Sequence, residues 1–301
     1  MRFLVLLATL ALACTPAPVP DASRQDPVPT PTIATPTGAP VVVTGRVVAF
    51  ERIGRAPPGG VSPITGRTAG GPTVVIATSG EEMSGLLTND RVATTVYGLP
   101  PIGDGAYIAA FAGQKGYLGY TIVVTDVRAE ADGLTLWARQ TPPGGDTFLP
   151  LVGYPLDVIR LDRAEIPVAS RVTLRDAVTG LRLATTTYCG STRQITPLTP
   201  YDPIGPQCVW DAYSRGDTAQ WLRRTLTIEG GPIIRTLRAV PRGLSEVSLD
   251  DRGDGFAHAP GVRSWACAQI ARSMMTSTSG TLLVWFSLSQ CTGNGEEAEV
   301  R

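Results

Sequence analysis

The chain has 301 residues, with 26 basic and 26 acidic side chains and a formal net charge of zero. Its basic residues are almost all arginine, Lys115 being the sole lysine, and no basic cluster or interleaving of aromatic with basic residues occurs. That balance gives no footprint for a nucleic-acid partner and no strong electrostatic field to steer one.

The chain begins with Met1-Arg2, a short, mostly apolar run from Phe3 to Ala13, and Cys14. The run is shorter than the roughly 20 residues a permanent span needs and suits transient recognition followed by cleavage. Leu10-Ala11-Leu12-Ala13-Cys14 resembles the bacterial lipoprotein signal box, with Ala11 where that box usually has leucine. The expectation is a signal over 1–13, lipidation at Cys14, and an extracytoplasmic location anchored to the cell membrane through lipid. An ordinary secretory signal ending near Ala13 is the alternative. Residues 14–40 follow as a tether: from Thr15 to Pro40 there are eight prolines and five threonines and almost nothing to bury. Such a segment cannot repay the entropy of folding, and its prolines keep it extended.

Four cysteines remain beyond Cys14: Cys189, Cys208, Cys267 and Cys291. An even number in an exported chain argues for two disulfides, with three pairings open and nearest neighbours, Cys189 with Cys208 and Cys267 with Cys291, preferred. No CxxC pair occurs and His258 is the sole histidine, so zinc is disfavoured and no metal or cofactor is expected.

About 260 residues are left for folding, and cysteine usage divides them into a cysteine-free part over 41–163 and a disulfide-stabilised β-rich part over 170–301. In the first, β-branched residues favour strands over Val41–Phe50 and Pro72–Thr78. Ser79 to Asn89 reads as a short helix capped by Ser79 or Thr78, with Glu81 and Glu82 at its positive end and Met83, Leu86 and Leu87 facing the core; Gly85 argues against it. Strands are expected over 107–112, 120–129, 133–140 and 154–161, the middle two forming a hairpin across Glu130-Ala131-Asp132-Gly133. In the second part, strands are expected over 172–176, 181–188, 222–229, 232–239, 244–249, 265–271 and 282–288. A proline-rich loop spans Cys189 to Cys208, and a helical turn or two spans Trp210 to Arg215. The fold class is α+β: two mainly antiparallel β domains, each with a short helix.

The run Ala109-Ala110-Phe111-Ala112-Gly113-Gln114-Lys115-Gly116-Tyr117-Leu118-Gly119-Tyr120-Thr121-Ile122 resembles the signature of the C-terminal domain of the protease-complex lipoprotein PrcB. In that family a strand ends in glycine and passes through Thr-Gly-Gly-Tyr into the next strand; here the turn is Tyr117-Leu118-Gly119-Tyr120. The likeness continues through Ile122–Val127, Leu134–Pro143 and Tyr154–Leu161. With Phe50-Glu51-Arg52-Ile53 and Gly60-Val61 it extends over about 41–163. The resemblance implies an accessory lipoprotein associated with an exported protease, a domain without chemistry of its own. Read without the family, the same loop exposes backbone between aromatic residues, a composition suited to gripping a partner, and Lys115, Tyr117 and Tyr120 are the candidate contact residues.

Catalytic signals are sparse. His258 follows Asp250-Asp251-Arg252-Gly253-Asp254-Gly255, but no Gly-x-Ser-x-Gly elbow is present, and the acidic run lacks the spacing and distal glutamate of a calcium loop. Trp210, Trp221, Trp265 and Trp285 offer faces for carbohydrate, with the apolar neighbours of Trp265 and Trp285 placing those two in the core. The reading is therefore a non-enzymatic, protein-binding accessory lipoprotein. The rivals are an exported hydrolase with a site near His258 and a structural component of the cell surface.

Overall fold

A computed structural model describes residues 44–55, 71–87, 104–116, 119–144, 153–194, 202–227, 230–257, 260–276 and 282–293. The expected export signal, Cys14 and the tether lie outside the described residues, as do Tyr117 and His258. The described chain is mostly β, with two α-helices and one 3-10 turn among these residues.

A four-stranded sheet has the order β2 (Glu51–Arg55), β7 (Leu156–Leu161), β4 (Asp104–Phe111), β3 (Thr73–Ser79). A ten-stranded sheet starts with β1 (Arg46–Val47), β5 (Thr121–Glu130), β6 (Gly133–Thr141), β8 (Ser170–Asp176) and β9 (Arg182–Gln194). It continues through β10 (Thr218–Leu226), β11 (Pro232–Ala239), β12 (Ser245–Asp250), β13 (Val262–Thr276) and β14 (Leu282–Gly293). Most neighbours are antiparallel, but β6 pairs with β8 and β9 with β10 in parallel. Each parallel pair needs a crossover. Strand β7 and the 3-10 turn Arg163–Glu165 supply the first, and helix α2 (Ile204–Ser214) the second.

The large sheet runs straight through the boundary expected between residues 163 and 170. Pro40–Arg301 forms one compact unit instead of two domains, because β8 adds to β6 and the two parts share a core. That core lies between the sheets and combines Val74, Ile76 and Ile108 of the small sheet with Val124, Leu136, Val172, Leu174, Leu222 and Ile234 of the large one. Alternation along β3 sends Val75 and Ala77 to the opposite face, where they meet Met83, Leu86 and Leu87 of helix α1 (Gly80–Leu87). A strand buried on both faces reads as a continuous apolar run, as Val74-Val75-Ile76-Ala77 does.

Helix α1 is capped by Ser79, one of the two residues its sequence offers, and Glu82 adds a return bond that the sequence reading did not include. Ser79 Oγ accepts from Glu82 N at 3.1 Å, and Glu82 Oε2 accepts from Thr78 N at 2.8 Å. Gly85, which argued against a helix, is required by packing: a Cβ there would stand 2.6 Å from Asp250 Oδ2 of the large sheet. Helix α2 begins earlier than expected, with Pro206 in its first turn, where a missing N–H costs nothing. Strand β9 likewise continues past Cys189 to Gln194, into the segment expected to be loop.

Strand β3 is the end of its sheet, yet it is buried, so its outward backbone groups need partners from elsewhere. Ile76 N donates to Gln220 Oε1 at 3.0 Å, Gln220 Nε2 donates to Ile76 O, and Thr186 Oγ1 donates to Val74 O at 3.0 Å. Arg238, itself paired with Glu246 at 3.3 Å, donates to Thr73 Oγ1. A second seam centres on Asp157, which is fully buried. It accepts from Arg52 Nε at 3.1 Å and from Val124 N at 2.8 Å, while Arg52 Nη2 donates to Val124 O at 2.5 Å.

Two disulfides secure the second half in the preferred pairing. Cys189–Cys208 ties β9 to α2, and Cys267–Cys291 joins directly opposed residues of β13 and β14. Replacing Gln220 by leucine, which leaves both backbone groups of Ile76 buried and unmet, is expected to cost about 2–5 kcal/mol in urea unfolding. Removing the Cys189–Cys208 cross-link by paired serine substitutions is expected to cost about 3 kcal/mol in the same measurement.

Candidate functional site

Strand β4 ends at Phe111 and delivers the chain into Ala112-Gly113-Gln114-Lys115-Gly116. Three backbone bonds pin this stretch to the approach of β7: Ala112 N to Pro155 O at 3.0 Å, Lys115 N to Gly153 O and Gly153 N to Lys115 O, both at 2.9 Å. Gly113 has φ +79°, and a Cβ on it would lie 2.6 Å from the carbonyl carbon of Gly71. The glycine at the end of β4 is thus fixed by both the left-handed turn and the close approach of the Gly71-Pro72 backbone.

The pinned backbone holds Lys115 half-buried, its Nζ 5.7 Å from the centre of the Tyr120 ring, within reach of a cation–π contact. Burial lowers the lysine pKa from its ordinary value. Two of the three candidate contact residues therefore form one unit at the entry of β5, and the third, Tyr117, lies outside the described residues. An ammonium lying on a phenol ring, with Gln114 and Gly116 exposed beside it, presents both a charge and an aromatic edge. Such a pair suits contact with a protein surface.

A concavity of about 550 Å³ opens beside β2, β4 and β7. Phe50, Gly105 and Leu161 line it together with Glu51, Arg160 and Arg163. Arg160 hydrogen-bonds Tyr107 and pairs with Glu51 at 2.6 Å, and its pKa is raised first by the tyrosine contact and then by the Glu51 charge.

The acidic run before His258 is engaged internally. Arg252 donates to both carboxylate oxygens of Asp250, at 2.9 and 2.7 Å. Asp251 accepts from Gly261 N at 2.7 Å and from Arg263. Asp254 caps a turn through Phe256 N at 3.0 Å. The buried phenol of Tyr188 has its pKa pushed up, first by burial and then by the nearby carboxylate of Glu82. It sits in a hydrogen-bonded group with Thr78 and belongs to the packing of α1.

The tryptophans divide. Trp221 and Trp265 are buried, Trp221 donating to Thr192 Oγ1 at 3.0 Å, and Trp210 is covered by the Arg272 guanidinium 5.0 Å from its ring centre. Trp285, expected in the core, is 43% exposed because it falls on the solvent face of β14, opposite the face that packs on α2.

Asp157 and Gln220 were not signalled as important by any motif. The available clue for Asp157 was a charge inside the apolar run Leu156-Asp157-Val158-Ile159, which is affordable only when paired. For Gln220 it was an amide between Ala219 and Trp221.

Neither a curated protein nor a solved structure matches this chain. A family model does, over a narrower stretch than the sequence resemblance suggests. The match runs from within β4 through β7, including Lys115 and Tyr120, and straddles both sheets. Residues 106–162 match the family model described as PrcB C-terminal.

Proposed function

We propose that the protein is an extracytoplasmic accessory lipoprotein, anchored through Cys14, whose folded part binds a protein partner, with an exported protease as the partner class. The observation that carries this reading is the PrcB C-terminal match over 106–162, a family whose name belongs to a protease complex. The export signal and the Pro/Thr-rich tether in the sequence support the anchored location. Two disulfides accord with an oxidising compartment.

The partner meets the protein at the Lys115–Tyr120 pair, and the protein performs no chemistry of its own. The carboxylates of Asp250 and Asp251 support that second point, since arginines and backbone amides already occupy them. Tyr120 supplies a rigid apolar face at low entropic cost, and Lys115 gives direction to the contact.

Affinity capture from membrane fractions with the full-length protein is expected to recover an exported protease. Substituting both Lys115 and Tyr120 by alanine is expected to lower that recovery at least about tenfold, the effect of losing one contact hot spot. The thermal unfolding midpoint should stay within a few degrees of the parent. Recovery of no protein above background, or equal recovery by the double variant, would overturn the reading.

A further inference from the structure

The turn that joins β8 to β9, Ala177-Val178-Thr179-Gly180-Leu181, spends its hydrogen bonds on holding its own shape. The carboxylate of Asp176 accepts from Val178 N at 2.9 Å, from Thr179 N at 2.7 Å and from Thr179 Oγ1 at 3.0 Å. Gly180 donates its N–H to Asp176 O at 2.9 Å, and Ala177 N reaches across to Ala138 O of β6 at 2.8 Å. A turn braced in this way keeps one shape, yet it presents Val178 and Leu181 to solvent, at 49% and 65% exposure. Neither side chain belongs to any of the apolar cores.

Behind this tip the sheet gathers three arginines that are scattered in sequence. Arg175 of β8 stands opposite Trp137 of β6 on one side and Arg182 of β9 on the other, so the three share a face, and Arg139 lies two residues beyond Trp137 on that face. Arg175 is held in place: its guanidinium lies 5.9 Å from the centre of the Trp137 ring and donates to Gly180 O at 3.0 Å. Arg139 and Arg182 are exposed, and among the described residues neither forms an ion pair. The carboxylates of this row and of the turn are engaged, Asp126 with Arg128 at 2.6 Å and Asp176 with the turn amides. Like charges directly opposite one another, as Arg175 and Arg182 are, cost a sheet stability, which points to a use outside the fold.

We infer that this tip docks the folded part onto an anionic membrane surface, with Val178 and Leu181 entering the boundary between headgroups and acyl chains while Arg139, Arg175 and Arg182 meet lipid phosphates. The order of the chemistry is that of a bilayer: apolar at the extremity and cationic one step behind, as an anionic headgroup layer covers an apolar interior. The shape fits as well. Two apolar side chains on a narrow tip bury too little for a stable protein interface, which takes about 800 Å² a side, whereas a fluid lipid surface closes around them. Each arginine brought near an anionic surface strengthens binding about fivefold. Attachment at Cys14, as proposed above, would hold the tip at high effective concentration over the surface, so a weak contact is enough to orient the folded part.

The test uses the full-length chain with Cys14→Ser, which carries no acyl chain, so that it reads the tip apart from the anchor. Co-sedimentation is measured with vesicles of equal parts phosphatidylcholine and phosphatidylglycerol and with vesicles of phosphatidylcholine alone. The expected result is binding at least about tenfold stronger to the anionic vesicles and weakened by added salt. Val178→Ser with Leu181→Ser is expected to lower it about tenfold, and Arg139→Gln with Arg182→Gln about twentyfold. Leu244→Ser, at an exposed turn position remote from this hairpin in sequence, should leave it unchanged. All the substituted tip and arginine positions are exposed, so the thermal unfolding midpoint should stay within a few degrees. With Cys14 replaced, Val178→Cys supplies the one thiol outside the two disulfides, and a polarity-sensitive dye on it should shift its emission to the blue on anionic vesicles. Equal binding to both vesicle types, unchanged binding by the Val178/Leu181 variant, or no shift of the dye would overturn the inference. So would loss of protein capture by that variant with vesicle binding intact, which assigns the tip to a protein partner.

Discussion

A single side-chain amide, that of Gln220, makes the junction of the two sheets chemically tolerable. It meets both backbone groups of Ile76, doing for β3 what a neighbouring strand would do. Without such a partner, an end strand placed between two layers would carry unmet donors and acceptors in an apolar interior, where each costs about 1–3 kcal/mol. Burial of Val74, Ile76 and Ile108 against Leu222 and Ile234 therefore depends on a polar contact at the centre of the same interface. Thr186 and Arg238 extend the arrangement to either side, so three adjacent strands of the large sheet each contribute one polar group to β3.

The Asp157 seam does comparable work on the other side of the small sheet. Its carboxylate joins β7 to β5 through Val124 N and fixes Arg52 of β2, whose guanidinium returns to Val124 O. All these groups but Arg52 lie within the PrcB C-terminal match, so the matched segment contains much of the fastening that closes it. The loop bearing Lys115 is held from the same region, by Gly153 and Pro155 just ahead of β7. Lys115 is thus tied by backbone bonds to the approach of β7, a placement that lets a binding residue keep its position without help from a partner.

Much of the strand order was legible because period-two alternation and β-branched runs report local burial. Strands β3 to β7 and the hairpins of the second half fall close to the expected residues. The cap of α1 was readable from Ser79, though not the return bond from Thr78 N to Glu82. The parallel pairings were not, since a strand's sequence does not name its neighbour. The two-domain division rested on where cysteines occur, but cysteine placement marks cross-links and says nothing of whether cores are shared. Helix α2 was seen only at its second half because its first turn contains Pro206, a residue that reads as loop everywhere except there. At the site, the glycines signalled a turn, while the Lys115–Tyr120 contact depends on long-range pinning by Gly153 that local sequence cannot express.

The distance along the chain between Ile76 and the amide that serves it sets a timing problem for biosynthesis. The two are 144 positions apart, and at roughly 5–20 residues per second a ribosome needs about 7–30 s to cover that interval. For all of it the early strands have a raw, sticky margin and no means of closing it. Order of emergence therefore works against order of assembly, and a cell producing this protein gains from any helper that keeps the nascent amino-terminal portion unfolded until the later portion has arrived.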